Sequence, residues 1–591
     1  MVSAIPQAEK SPEPALVLRL MLSWNHSGHR KGCQFRALCY TIVNCGMARE
    51  SEDEMQGERR GALLVVTVLV VSAVLGGIYC PSVRATSSDV NTLEDSVKSF
   101  TRVLSVVQKN YATPVDPDHA LYSGAIPGML RVLDPHSSFF DPRAYANLRE
   151  DQRGRYYGVG MTIVPKENFT YVLAPMPGAP AFRAGVRPGD KIFAVDGKSA
   201  EGLSTSEVAD MLKGPKGTVV HITMQRVGYD DNLNFTVTRD EIPKRSVDIA
   251  FLLKPDIGYI KLSGFNETTD PELSEALKQL DATKLDGLVL DLRGNPGGLL
   301  NEAVAVSDMF LDKNQLIVSH HGRASQERRY YAVRGNRGVT VPLVVIVNGG
   351  SASASEIVTG AIQDHDRGLV VGEQSFGKGL VQTVSGLSEN TGLALTTARY
   401  YTPSGRLIQR DYKDTSLYDY LYNHKNPAPT EVKLTDSGRQ VTGGGGITPD
   451  VPVEPSKLDP FQESLLRRNV FFAYQGGVGG FTTYFLGSKP EVTKDFTVDE
   501  NVMKSFTKYL NREKVPYTDT DIADNLGWIK REIKKEAFIS VFGLTEGYKV
   551  DLEDDAQLQK AVESLPQARA LYDNARKVVA QRSGGAGMQQ Q

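Results

Sequence analysis

The segment Asn348–Asp364, NGGSASASEIVTGAIQD, carries three serines, Ser351, Ser353 and Ser355, where an apolar strand pattern gives way to a helical one. Two glycines turn the chain, and Ile357, Val358, Ala361 and Ile362 form the apolar face of the following helix. A serine at this junction has an exposed hydroxyl and unpaired backbone N–H groups beside it. That arrangement suits attack on a carbonyl followed by stabilisation of the oxyanion. The same residues also read as a helix cap, because Ser353-Ala-Ser-Glu356 is a capping-box pattern. The two roles are compatible.

A nucleophilic serine needs a base. His365 lies twelve residues along the same helix, about 18 Å away at 1.5 Å per residue, and is expected on a polar surface. His424 falls in an insertion, and His136 and the His320–His321 pair sit in no tight motif. Lysine is the alternative. Lys378 stands between Gly377 and Gly379 in EQSFGKGLVQ. An amine in a dry pocket loses its preference for charge, so it can accept the serine proton and return it to the leaving amine. Gln382 follows four residues later. In a straight strand it would share a face with Lys378 but lie about 13 Å away, so orienting the lysine requires a bend, which Gly379 permits. A second glycine turn, DLRGNPGGLLNEAV (Asp291–Val304), again joins strand to helix, and Gly297 and Gly298 let backbone amides approach a substrate closely. No HExxH pattern occurs, and neither metal nor cofactor is expected. No cysteine lies between Pro81 and Gln591, which removes thiol catalysis and a disulfide framework.

These residues need elements to hold them. Residues 90–155 read as helical, with Leu93, Val97, Phe100, Val103, Leu104 and Val107 at helical spacing and a loop or turn at LDPHSSFFDP (Leu133–Pro142). Residues 156–244 read as a small β-rich domain with a strand at KIFAV, a helix from Ser204 to Leu212, and strands at Val219–Val227 and Leu233–Thr238. Residues 245–455 alternate strand and helix: strands at 257–263, 287–293, 341–348 and 368–373, and a helix at Pro271–Leu280. That alternation argues for an α/β core with a buried sheet. Residues 411–445 read as a surface insertion, 456–580 as a helical region (Asp524–Phe542 and Asp555–Val579), and 581–591 as a disordered tail.

Taken in order, the motifs over roughly residues 95–455 resemble the carboxy-terminal processing peptidases, also called tail-specific proteases. The carriers are LDPHSSFFDP, GVGM, GAPAFRAGVRPGDKIFAVDG, DLRGNPGG, SASASE, FGKGLVQ, YYTPSGRLIQ and GITPDV. The resemblance implies a multidomain α/β architecture: a protease core of the crotonase/ClpP-like type, an inserted PDZ domain, and helical N- and C-terminal regions. It implies a serine endopeptidase working through an acyl-enzyme, with Ser353 as nucleophile, Lys378 as general base and Gln382 positioning the lysine. The amides of Gly297 and Ala354 would form the oxyanion hole, and Glu356 would support the site. Gly158, Val159, Gly160 and Met161 would bind the apolar C-terminus of a protein or peptide substrate by strand addition. The chain departs from the family at Lys213, where the pattern has arginine, and in the 411–445 insertion.

Two other readings remain from the residues: a PDZ-type binding module with an inactive core, and an acyl-CoA enzyme of the crotonase type. The intact Ser353, Lys378 and Gln382 weigh against the first. The PDZ-like segment and the N-terminal apolar run weigh against the second.

That run, Gly61–Cys80, has 20 residues without a charge, enough to span about 30 Å. Arg59 and Arg60 precede it, which reads the N-terminal segment 1–60 as cytoplasmic or disordered and the protease as outside, periplasmic or extracellular. A cleaved signal peptide is the rival reading. Residues 1–46 hold three of the four cysteines, and Met47 opens a stretch that reads as a natural start. A formal net charge of −3 gives no electrostatic case for nucleic acid. The amphipathic C-terminal region suits docking or homo-oligomer formation.

Overall fold

The computed structural model describes residues 88–588, apart from 167, 227–228, 414, 423–430, 472–479 and 488–490. The segment 1–60 and the expected anchor at Gly61–Cys80 lie outside these residues. Among the described residues no helix is long and apolar enough to cross a membrane. The chain divides into two units, 1–110 and 111–591. In the first, Ser88–Asn110 is one helix of 23 residues, as its apolar spacing requires.

The second unit opens with short helices, a strand at Ser138–Phe140 and helix α1 (Pro142–Arg153), capped by Asp141 and closed by Gly154 in the left-handed region. LDPHSSFFDP, expected as loop, therefore contains a strand, which pairs with Gly392–Ala394 of a distant segment. A pairing partner more than 250 residues away leaves no local trace.

The β-rich domain is an antiparallel sheet with β1 (Met161–Lys166) at one edge and Leu233–Thr238 at the other. Val220, Ile222 and Met224 are buried while Val219 and His221 are exposed, the alternation of a sheet with one wet face. Helix α2 (Thr205–Leu212), held by a Ser204–Glu207 capping box, packs Val208 and Leu212 onto the other face. Arg155–Gly158 pairs with Asp240–Pro243, so the domain enters and leaves on a two-stranded stalk.

The core sheet has six strands: β2 (Val247–Lys254), β3 (Ile257–Leu262), β4 (Gly287–Asp291), β5 (Leu343–Val347), β6 (Leu369–Gly372) and, at its edge, Val451–Pro452. All pairs but β2–β3 are parallel. Every residue of β4, β5 and β6 is buried, which demands cover on both faces. On one face Leu288, Leu290, Leu343 and Val345 meet helices α3 (Leu300–Asp308) and α4 (Ala354–Asp364). On the other, Val289, Val344, Ile346 and Val371 meet Leu558, Ala561, Leu565 and Ala568. The C-terminal helices thus complete the core. The helix expected over Asp555–Val579 is broken at Ser564 into Ala556–Glu563 and Leu565–Met588. The latter runs to Met588, into the segment expected as a disordered tail, since each added residue of a formed helix gains one hydrogen bond.

A second sheet was not evident from sequence. It contains β7 (Leu380–Gly386) and β8 (Gly392–Tyr401), together with Leu316–His321, Arg328–Tyr331 and Ser138–Phe140. Its strands are rich in polar and half-buried positions, which blunts the alternation.

The described residues of the 411–445 insertion are tied into the core at two points. Tyr420 is buried. Arg439, on the turn of the hairpin at 431–443, bridges Asp366 and Asp450 at 2.7 and 2.6 Å. These contacts are tertiary and invisible in a Tyr- and Gly-rich stretch.

Candidate active site

β5 ends at Val347, and the chain turns into α4 through Asn348–Ala352. The three serines of this junction, one in the turn, one at the helix cap and one in the first turn of α4, have different fates. Ser351 Oγ accepts from Asn348 N–H and donates to the Leu292 carbonyl, both at 2.9 Å. Ser355 Oγ donates to the Asn295 carbonyl at 2.9 Å. Both are fully buried. Ser353 and Glu356 face each other as a capping box, but the Ser353 hydroxyl makes no full cap hydrogen bond, and its residue lines a cleft of about 530 Å³. Its backbone is at φ 55°, ψ −111°, a strained conformation for a residue with a Cβ. Its neighbours hold it there. Ser353 N–H donates to Glu356 Oε2 at 2.8 Å, and the Ser353 carbonyl accepts from Glu356 and Ile357 N–H at 2.9 and 3.0 Å.

Glu356 ties the serine to the lysine. Its side chain is fully buried. Oε2 accepts from the N–H groups of both Ser353 and Lys378, and Oε1 from Ser375 Oγ and Gly377 N–H, at 2.6–2.9 Å. Burial pushes its pKa up, against the pull of these four donors. Ser375 Oγ also accepts from Ile447 N–H at 2.6 Å, so the GITPDV segment braces the lysine loop. Glu356→Gln is isosteric but sets an amide donor against buried donors on one side. We expect a loss of about 2–3 kcal/mol of stability, measured by denaturant unfolding, together with a marked loss of activity.

Lys378 lines the same cleft. Burial lowers its pKa, opposed by Glu356 and Asp134. Its Nζ donates to Gln382 Oε1 at 2.8 Å. The bend this needs is present: β7 starts only at Leu380, and its pairing with β8 slips between Val381 and Gln382. Gln382 Nε2 donates to the His136 carbonyl. The Tyr400 hydroxyl lies between the carbonyls of Ser353 and Lys378, at 3.1 and 2.5 Å. Burial raises its pKa and keeps it a neutral donor. No hydrogen bond joins Ser353 Oγ to Lys378 Nζ; the lysine amine rests on Gln382.

The two amides expected to face an oxyanion differ in how far they are already used. Ala354 N–H, at the first helical position, has no acceptor among the described residues. Gly297 N–H, however, donates to Asn295 Oδ1 at 2.9 Å. The amide of Gly298, one residue on, is the one left without an acceptor among the described residues. Gly297 matters for space: at φ 98°, a Cβ there would lie 2.8 Å from Ser353 Cβ and from the Ala354 nitrogen. Asn295 is the residue sequence reasoning missed here. It shapes the turn and is fully buried, with Nδ2 on the Leu262 carbonyl.

His365 is not on a polar surface. It is half-buried, with Nδ1 2.7 Å from Asp436 and Nε2 2.7 Å from the Leu316 carbonyl. Burial depresses its pKa, but the Asp436 partner outweighs this and raises it. Both ring nitrogens are committed at the far end of α4.

Gly158, Val159, Gly160 and Met161 lie elsewhere, in a groove between β1 and α2 that also takes in Ile163, Ala209 and Leu212. The N–H groups of Val159 and Gly160 have no acceptor among the described residues. Lys213 sits at the groove's end and donates to Glu150 of α1 at 2.6 Å and Asn147 at 3.2 Å.

Residues 256–414 match the family description Peptidase family S41, and residues 171–226 match PDZ domain. Over 334 residues the chain is 41% identical to a carboxy-terminal-processing protease of Bartonella bacilliformis, covering 55% of this chain and 76% of that one. It is 32% identical to the carboxy-terminal processing protease CtpA of Bacillus subtilis over 64% of this chain and 82% of that one. It is 39% identical to a carboxyl-terminal-processing protease of Synechocystis over 48% and 68% respectively.

Proposed function

The chain belongs to peptidase family S41, as a PDZ-containing serine protease of the carboxy-terminal processing type, and we propose that Ser353 and Lys378 carry its chemistry. One observation carries this reading. Of the three clustered serines, Ser353 alone keeps an uncommitted hydroxyl, and it opens into the cleft that holds a desolvated lysine.

The substrate's apolar C-terminus adds as a strand to β1, with its carboxylate on the amides of Val159 and Gly160. The scissile bond lies over Ser353. Neutral Lys378 leaves Gln382 and accepts the Ser353 proton. The four-carbon stem can swing without moving the backbone that Glu356 holds. Attack forms a tetrahedral oxyanion facing the N–H groups of Ala354 and Gly298. Lys378 then protonates the departing amine, leaving an acyl ester on Ser353. A water molecule, deprotonated by Lys378, releases the ester. Acid-quenched reactions examined by mass spectrometry are expected to carry the acyl group on the Ser353 peptide; acylation of another residue overturns the assignment.

Recognition has its own test. Amidating the C-terminal carboxylate of a peptide substrate is expected to weaken binding to the full chain about tenfold or more, since a charge-assisted contact is lost. Equal binding by calorimetry would refute the proposed groove. The uncharged run at 61–80, preceded by Arg59 and Arg60, supports anchoring with the protease on the extracytoplasmic side.

A further inference from the structure

The 411–445 insertion reaches the base. Helix Leu417–Tyr422 sends Tyr420 inward, 2% exposed, against His136 and Phe376, with the Arg410 guanidinium 4.6 Å over its ring. The Tyr420 hydroxyl is 2.9 Å from His136 Nε2 and accepts from Gln409 Nε2 at 3.2 Å. The hydroxyl has one proton and two lone pairs, so it holds the Gln409 amide and the imidazole Nε2 together, whichever tautomer the ring adopts. Burial first, and then the nearby Lys378, push the His136 pKa down to about 4. The backbone carbonyl of the same residue accepts from Gln382 Nε2. Asp134 fixes that turn by accepting from the N–H groups of His136 and Ser137 and from Ser137 Oγ. With its nitrogen on the His136 carbonyl, the Gln382 amide must turn Oε1 toward Lys378 Nζ. A continuous chain runs Tyr420–His136–Gln382–Lys378 through three segments far apart in sequence.

We infer that Tyr420 is a positioning residue for proton transfer by Lys378: the insertion locks the His136 turn, which orients the Gln382 amide that holds the amine. The inference rests on Lys378 being the base. The charged and titratable groups around this chain are Glu356 from α4, Asp134 and His136 from the N-terminal segment, Tyr400 from β8, Arg410 beside the insertion and Tyr412 within it. Tyr420→Phe changes none of these charges and keeps the ring.

The test compares purified full-length protein with Tyr420→Phe, Tyr418→Phe, Gln382→Ala and the Tyr420→Phe/Gln382→Ala double variant, on an unfolded protein with an apolar C-terminus. Tyr420→Phe is expected to lower kcat about five- to tenfold with KM unchanged. It is also expected to raise the midpoint of the pH–kcat profile by about half a unit, as the amine becomes better hydrated. Tyr418, exposed on the same helix, is expected to tolerate Phe without effect. In the Gln382→Ala background the Tyr420→Phe effect should vanish, because the relay is already cut. A wild-type midpoint in Tyr420→Phe, or additive effects in the double variant, overturns the inference. The midpoint does not depend on how much enzyme folds, so a poorly folding variant still decides the matter. Ser353→Ala and Lys378→Ala run alongside: cleavage surviving in either overturns the base assignment itself, whereas their inactivity beside an unshifted Tyr420→Phe overturns the relay alone.

Discussion

Ser353→Ala is expected to reduce cleavage of an unfolded protein substrate by at least about 10³-fold, while Ser355→Ala keeps activity within severalfold of wild type. The contrast follows from hydrogen-bond commitments. The Ser355 hydroxyl is buried and donates to the Asn295 carbonyl, which also accepts Ala352 N–H at 3.0 Å. Losing it leaves that carbonyl satisfied and costs about 1 kcal/mol of stability. Ser351→Ala removes both a donor and an acceptor, leaving Asn348 N–H and the Leu292 carbonyl without that partner. It should lower the melting temperature first and activity only through the fold. Ser353 has no such structural duty for its hydroxyl, so Ser353→Ala should melt near wild type while losing catalysis. Parallel melting curves and progress curves on the three variants check this. Activity in Ser353→Ala would remove the nucleophile from the mechanism.

Lys378→Met is expected to be equally inactive, and the fold should not suffer at neutral pH. Methionine keeps the apolar stem and removes the amine. Burial lowers the folded-state pKa of Lys378 below the ordinary lysine range. The unfolded chain therefore binds more protons than the native one between the depressed pKa and about 10.4. Stability tied to this group rises with pH across that window and is lowest below it, where the charged amine stays desolvated. Lys378→Met deletes that penalty, so at pH 7 its melting temperature should match or exceed wild type, less the Gln382 hydrogen bond. Activity has the same sign: it requires the neutral amine and should climb with pH to a midpoint below the normal lysine value. A purely structural lysine would give the reverse on both counts, with a less stable variant and no such limb. Measuring kcat against pH and melting temperature against pH separates the two.

The local features of the site are legible in the residues. β5 and β6 are apolar throughout and β4 is apolar up to Asp291, a pattern that demands a sheet covered on both faces. The glycine turns at Gly297–Gly298 and Gly349–Gly350, each between such a strand and a helical period, announce two backbone junctions of the kind that expose amides. Lys378 between glycines, with Gln382 four residues on, is visible in the same way. The second sheet is not, because β7 and β8 mix polar and apolar positions, and their burial is set by partners such as Ser138–Phe140. The insertion read as surface for the same reason: its buried anchor, Tyr420, is one tyrosine among several until His136 is brought beside it.

Sequence by itself determined the parts: a serine cluster at a strand-to-helix junction, a glycine-flanked lysine, and the buried strands that carry them, since periodicity and turn chemistry act over a few residues. Tertiary structure alone decided which serine hydroxyl and which glycine amide lack a partner among the described residues, and how Gln382 reaches Lys378. Those are questions of which hydrogen bonds are already used and which groups are desolvated. The answers come from partners such as Leu292, 59 residues from Ser351, and His136, 246 residues from Gln382. No local pattern encodes a donor's occupancy; only the packed chain can assign it.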